Sequence, residues 1–188
     1  PILAGVPIWY VVGVLVTFSP ELFSGRVAGS VRAGQSVMYV YIGLAIGDLG
    51  AGILSQVWRS RKRPVLLWLF MGSLLSVLYN LLPFSSPEAV YAFCVGLGFF
   101  SGYWAVLLTG AAEQFGTNIR ATVATSIPNW IRGSLVISTL LWEAFKEGLD
   151  LSGHIAALFT GIIVYGIALF SAWRLRETYG ASLDFVEE

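Results

Sequence analysis

Residues 64–112 read PVLLWLFMGSLLSVLYNLLPFSSPEAVYAFCVGLGFFSGYWAVLLTGAA, with Glu88 as the only charge. A hydrocarbon core about 30 Å thick needs roughly 20 apolar residues of helix to cross it. The stretch supplies two such runs, Pro64 to Pro87 and Ala89 to Ala112. They meet at Pro83-Phe84-Ser85-Ser86-Pro87, whose paired prolines and serines spell a turn. A helical hairpin in lipid is the expectation. Four further windows lie outside it: Pro1 to Pro20, Ala33 to Trp58 with Asp48 inside, Ala121 to Trp142 with Arg132 inside, and Leu151 to Trp173 with His154 near its start. All are continuous apolar runs without the ten-residue alternation of a membrane barrel. The expected fold is therefore an all-α membrane protein of six transmembrane helices over 1–188, with spans 1–22, 34–58, 64–83, 88–112, 121–143 and 152–174.

Composition excludes other classes. The chain has 188 residues, 56% hydrophobic and only 12% charged, with a mean hydropathy of +0.76. Eleven Lys and Arg balance eleven Asp and Glu, so there is no cationic surplus for nucleic acid. Cys94 is the single cysteine, and no Cys/His cluster has metal-ligand spacing. No cofactor or metal is expected, and no Gly-Lys phosphate loop appears.

Charge also orients the chain. Six crossings put Trp58 to Arg63, Glu113 to Arg120 and everything after Trp173 on one side. That side carries Arg59, Arg61, Lys62, Arg63, Arg120, Arg174 and Arg176, against Arg26, Arg32 and Lys146 on the other. Because Lys and Arg in short loops mark the inside, the carboxyl terminus is expected in the cytoplasm, with the protein multi-pass in a cell (inner) membrane. Gly43 and Gly47, and Gly98 and Gly102, have the four-residue spacing that lets helices approach closely. Pro7 and Pro128 are expected to bend helices one and five. Trp58, Trp142 and Trp173 fall at span ends, where interfacial anchoring explains them.

Three segments carry a family resemblance. Gly52-Ile53-Leu54-Ser55-Gln56-Val57-Trp58-Arg59-Ser60-Arg61-Lys62-Arg63 resembles the glycine, acid, then arginine-rich loop of the major facilitator superfamily, with Gln56 where the acid usually stands. Glu113-Gln114-Phe115-Gly116-Thr117-Asn118-Ile119-Arg120 is similar to the Glu-x-aromatic-Pro-Thr-x-x-Arg segment of its sugar porters and organic-ion transporters, with Gly116 replacing the proline. Arg132-Gly133, twelve residues after Arg120, is similar to the organic-ion branch. Arg176-Glu177-Thr178-Tyr179-Gly180, then Leu183-Asp184, resembles the ending of the same groups. The resemblance implies helices seven to twelve, one lobe built as a 3+3 inverted repeat, with the amino-terminal half absent. It implies a symporter or antiporter working by alternating access on a small organic solute. An organic ion is favoured over a sugar, because the first helix lacks paired glutamines. The other half of the transporter, the bilayer, the substrate and a coupling proton or Na+ would be its partners.

Charges inside the spans are the candidate pathway. Asp48 lies eleven residues before Arg59 and Arg132 twelve after Arg120, so at ~1.5 Å per residue their depths match. Each would cost about 2.5–3.5 kcal/mol alone at mid-helix, which suggests either a mutual contact or water. Asn129 and Tyr41 share those faces, and Tyr103 and Trp104 lie deep in helix four. These six residues form the expected substrate and coupling-ion pathway. At the cytoplasmic rim Arg61, Lys62, Glu113, Arg120 and Glu177 are expected to form breakable gate ion pairs. An intramembrane serine protease, with Ser101 and His154 as the residues to test, and a purely structural membrane protein are the alternatives. Ser101 and His154 are expected far apart in depth, so no enzyme is expected.

Overall fold

A computed structural model of the protein describes residues 1–181. The described chain is all-α, with no strand. Its elements are α1 (Ile2–Tyr10) running into a π-helical stretch (Val11–Val16), α2 (Ser19–Leu22), α3 (Ala33–Val57), α4 (Lys62–Leu81), α5 (Pro87–Ser101), α6 (Trp104–Ala112), α7 (Thr117–Gly148) and α8 (Gly153–Arg174). Among them, Ala33–Val57, Lys62–Leu81, Pro87–Ala112 and Gly153–Arg174 are long and apolar enough to cross a membrane. Ile2–Val16 is apolar but shorter.

The hairpin expected at Pro83–Pro87 forms. Pro87 opens α5, where a missing N–H costs nothing, and the Ser86 hydroxyl accepts from the Ala89 amide at 3.4 Å. α4 stops at Leu81, and Arg26 from the segment between α2 and α3 donates to the Asn80 carbonyl at 2.9 Å, offsetting the negative end of the helix dipole.

Chain reversals collect at two ends. Residues 58–61, 113–116 and 175–181 meet at one, called here the basic end, through Arg61, Glu113, Glu177 and Thr178. At the other, Glu21 pairs with Lys146 and Ser19 bonds Ser36. The Glu113 loop thus emerges beside the Arg61 loop, as the basic-loop count required.

α3 lies on α5 with almost no intervening side chain. A Cβ on Gly43 would sit on the Val95 carbonyl oxygen, and one on Gly98 would sit on that of Val40. The four-residue glycine spacing is therefore a backbone-to-backbone seam, which supplies contact where lipid offers no hydrophobic drive between helices. Buried tyrosines fasten the first pass to its neighbours. Tyr10 donates to the Ala157 carbonyl at 2.6 Å and Tyr103 to that of Ala4 at 2.8 Å. In hydrocarbon such hydroxyls need a protein acceptor.

Four expectations need correction. The first span, expected over 1–22, changes to π geometry at Val11 and breaks after Val16; the Thr17 amide and hydroxyl both bond the Val12 carbonyl, which holds the wider turn. The fourth, expected unbroken over 88–112, is interrupted at Gly102 and Tyr103. The fifth, expected over 121–143, runs from Thr117 to Gly148 straight through Pro128. Trp142 is not an interfacial anchor: it is 1% exposed and its indole N–H donates to the Gly153 carbonyl at 2.9 Å, closing the α7–α8 turn. Trp58 and Trp173 are exposed. Leu183 and Asp184 lie outside the described residues.

Candidate functional site

The basic end is built from three segments distant in sequence. α3 ends in a Schellman turn: the Arg59 amide bonds the Gln56 carbonyl at 3.2 Å and the Ser60 amide that of Ser55 at 3.1 Å, with Arg59 left-handed at φ 49°. That turn aims Ser60 and the first amides of α4 at the segment following α8. There Glu177 receives them. Its carboxylate accepts from the Ser60 hydroxyl, the Arg61 amide at 2.7 Å, the Lys62 amide at 3.4 Å and the Tyr179 amide at 3.1 Å. Glu177 thus caps α4 from the far end of the chain, satisfying amides that a helix start leaves orphaned.

Arg61 makes the second tie. Its guanidinium bonds Glu113, at the end of α6, through Nη2 at 2.9 Å and Nε at 3.3 Å, and reaches the Ser55 hydroxyl at 3.0 Å. The other Glu113 oxygen accepts from the Thr178 hydroxyl at 2.6 Å. The Arg61 guanidinium also lies over the Tyr179 ring at 5.1 Å, and the Tyr179 hydroxyl donates to Gln56 at 3.1 Å. Gln56, the departure from the acidic signature, serves as a neutral acceptor here. Beneath the rim, between Val65, Val106, Leu107, Gly110 and Ala111, only about 10 Å³ of space remains. The end is shut.

Of the expected gate residues, the structure joins Arg61, Glu113 and Glu177 in one network. Lys62 contributes its backbone amide to Glu177. Arg120 turns back on its own loop, donating to the Phe115 carbonyl from Nε at 3.2 Å and Nη2 at 3.1 Å. Ser55, Ser60, Thr178 and Tyr179 were not singled out from the sequence. Ser60 stands just before α4 and is the one a capping pattern could have revealed.

Partial burial raises the Glu177 carboxyl, but the bonds from Ser60 and from the Arg61, Tyr179 and Lys62 amides outweigh it. The group sits below its ordinary value and stays ionised at neutral pH.

Asp48 and Arg132 do not meet. Asp48 accepts from the Ala105 amide at 3.0 Å, capping α6 where the fourth pass restarts after Gly102. The interruption is supported from its other side as well, because the Trp68 indole donates to the Phe99 carbonyl at 2.9 Å. Arg132 projects from another face and lies over the Trp9 ring at 5.4 Å. Matched depth on two helices fixed neither azimuth. Asn129 is exposed on α7 and bonds the Thr125 carbonyl at 3.1 Å. Tyr41 is exposed on the open face of α3, Tyr103 is buried against α1, and Trp104 is half-buried at the start of α6.

One feature of α7 was not read from the sequence. Asn118, Thr122, Thr125, Asn129 and Arg132 recur at helical spacing and form an exposed polar stripe along the first half of the helix. Polar side chains facing lipid are costly, so this face needs water or a protein neighbour. Ser101 donates to the Leu97 carbonyl, while His154 sits at the opposite end beside Ser152. No protein-family model matches the chain, and no curated protein is detectably similar to it.

Proposed function

We propose that this chain is one six-crossing lobe of a secondary transporter of the major facilitator type, moving a small organic solute by alternating access, with the basic end as its cytoplasmic gate. The observation carrying this reading is the convergence of three loops, each picked from the sequence for its resemblance, on one ionic network. Arg61, Glu113 and Glu177 come from three separate loops, so a change in the packing of any one of those legs strains contacts with the other two. One half-buried ion pair, Arg61–Glu113, joined by hydrogen bonds to a capping carboxylate, suits a gate, since it holds one state by a modest margin and releases when ligand favours the other.

The polar stripe on α7 is the pathway side of the lobe. Arg132, with Asn129 a turn away, offers a fixed positive charge and hydrogen-bond donors to an organic anion. Asp48 has a different part. As the cap of α6 it holds the interruption in the fourth pass, the kind of discontinuity that lines solute paths in transporters.

The test uses the intact protein in sealed vesicles with a panel of radiolabelled organic anions and cations under imposed proton or Na+ gradients. Gradient-dependent accumulation of an anion, reduced at least tenfold by Arg132→Gln, is expected. Folded protein that moves none of the panel, or flux unaffected by that substitution, overturns the reading.

A further inference from the structure

A groove of about 640 Å³ opens between α1, α7 and α8. Its walls are Leu3, Val6, Trp130, Ile137, Ile163 and Ile167, interrupted by a few serines and by Asn129 at the edge nearest the polar stripe. Along α7 it extends from Ser126 to Leu141, which at ~1.5 Å per residue is about 22 Å, or some three-quarters of a hydrocarbon core. Leu3, Trp130, Ile137 and Ile167 are all exposed. The groove is long, narrow, apolar and open sideways.

Its mouth towards the basic end is marked by charge. Arg174 follows Ile163 and Ile167 at eleven and seven residues, so it lies on the same face of α8, about 10 Å beyond Ile167. The side chain is exposed, and its guanidinium carbon lies 5.3 Å from the Phe170 ring centroid and 5.6 Å from that of Trp173. An exposed guanidinium held over aromatic rings keeps N–H donors for a phosphate. Trp173 is 61% exposed beside it, as an aromatic at the headgroup level is.

We infer that this groove holds one acyl chain of an anionic phospholipid, whose headgroup phosphate is bound by Arg174. The acyl chain fills a trough in which Leu3, Trp130, Ile137 and Ile167 otherwise stand open, and the cation selects the headgroup. The inference requires the helices to lie in a membrane but stands whether or not the protein transports anything.

Gly133 provides a clean way to fill the groove, because it lines the wall and a Cβ there meets nothing within 4 Å. Gly166, on the seam between α4 and α8, is equally open and serves as the control. Intact protein is exchanged into mixed phosphatidylglycerol and phosphatidylcholine nanodiscs, released, and its retained lipid measured by native mass spectrometry. The expected result is retained phosphatidylglycerol in the wild type and in Gly166→Leu, a drop of at least fivefold in Gly133→Leu, and loss of headgroup preference in Arg174→Gln with retention of phosphatidylcholine. Equal phosphatidylglycerol in wild type and Gly133→Leu overturns the inference. So does an Ile137→Cys variant that crosslinks to a second copy or to another protein through the groove.

Discussion

The two ends of the bundle turn the chain with the same device and hold it differently. α3 and α7 both finish on a left-handed non-glycine residue, Arg59 at φ 49° and Asp150 at φ 50°, with the next amide bonding back five residues, Ser60 to Ser55 and Leu151 to Lys146. Beyond the turn they diverge. At the basic end Arg61 and Glu113 are 18% and 14% exposed and share partners with three other side chains. At the opposite end Lys146 and Glu21 pair at 36% and 44% exposure. Solvent screens the second pair and leaves it a median worth near zero, whereas the first is better shielded and is braced by further bonds to Ser55 and Thr178. One end is fastened by a network, the other by packing with a surface pair laid over it.

The contrast is tested most strongly by removing one carboxylate at each end. Glu113→Ala strands the Arg61 guanidinium in a half-buried setting and is expected to cost about 2 kcal/mol, between surface and buried cases. Glu21→Ala is expected to cost under ~0.5 kcal/mol. Denaturant unfolding in detergent reads both, and double-mutant cycles with Arg61→Ala and Lys146→Ala should give coupling above ~1 kcal/mol for the first pair only. Similar coupling at the two ends removes the distinction.

Acid should act on one end. Glu177 is held below its unfolded value of 4.5, so its contribution is complete above that value and is lost as pH falls through the depressed folded value. Amide exchange at Arg61 and Lys62, normalised for intrinsic rates, should be flat from pH 8 to pH 5 and rise below pH 4. In Glu177→Gln that acid step should vanish. A rise between pH 7 and pH 5 assigns the response to another group.

The smallest effect concerns the shared turns. Left-handed geometry suits glycine best and aspartate better than arginine. Arg59→Gly should therefore stabilise by about 0.5–1 kcal/mol and Asp150→Gly by less. The reverse order would show that neighbouring contacts, rather than backbone preference, hold the Arg59 turn.

Much of this was readable in the sequence wherever one local pattern decided the outcome. Pro83 and Pro87 fixed the hairpin because proline has no N–H to carry a helix's hydrogen-bond ladder onward, and Gly43, Gly47, Gly98 and Gly102 announced their seam by spacing. The basic residues sorted the loops correctly between ends. What failed depended on partners far away in the chain. Nothing near Gly102 says that the fourth pass stops there; the Ala105 amide and the Phe99 carbonyl on either side of the break bond Asp48 and Trp68 from other helices. Asp48 was given a charged partner because every residue carries an N–H, so a backbone partner leaves no mark in sequence. Glu177 was expected to pair with a side-chain cation and instead caps the α4 amides, for the same reason.

The gate claim is tested most directly by access to the space beneath the rim. Cys94 is buried and is the only native cysteine, so a cysteine at Ala111, itself 2% exposed under the Arg61–Glu113 pair, reports alone. With a membrane-impermeant thiol reagent supplied on the side of the basic end, Ala111→Cys should react slowly. Adding Glu113→Gln and Glu177→Gln should speed it about tenfold, the factor that ~1.4 kcal/mol of lost closure gives. Equal rates with and without those two carboxylates would contradict a gate held by the network.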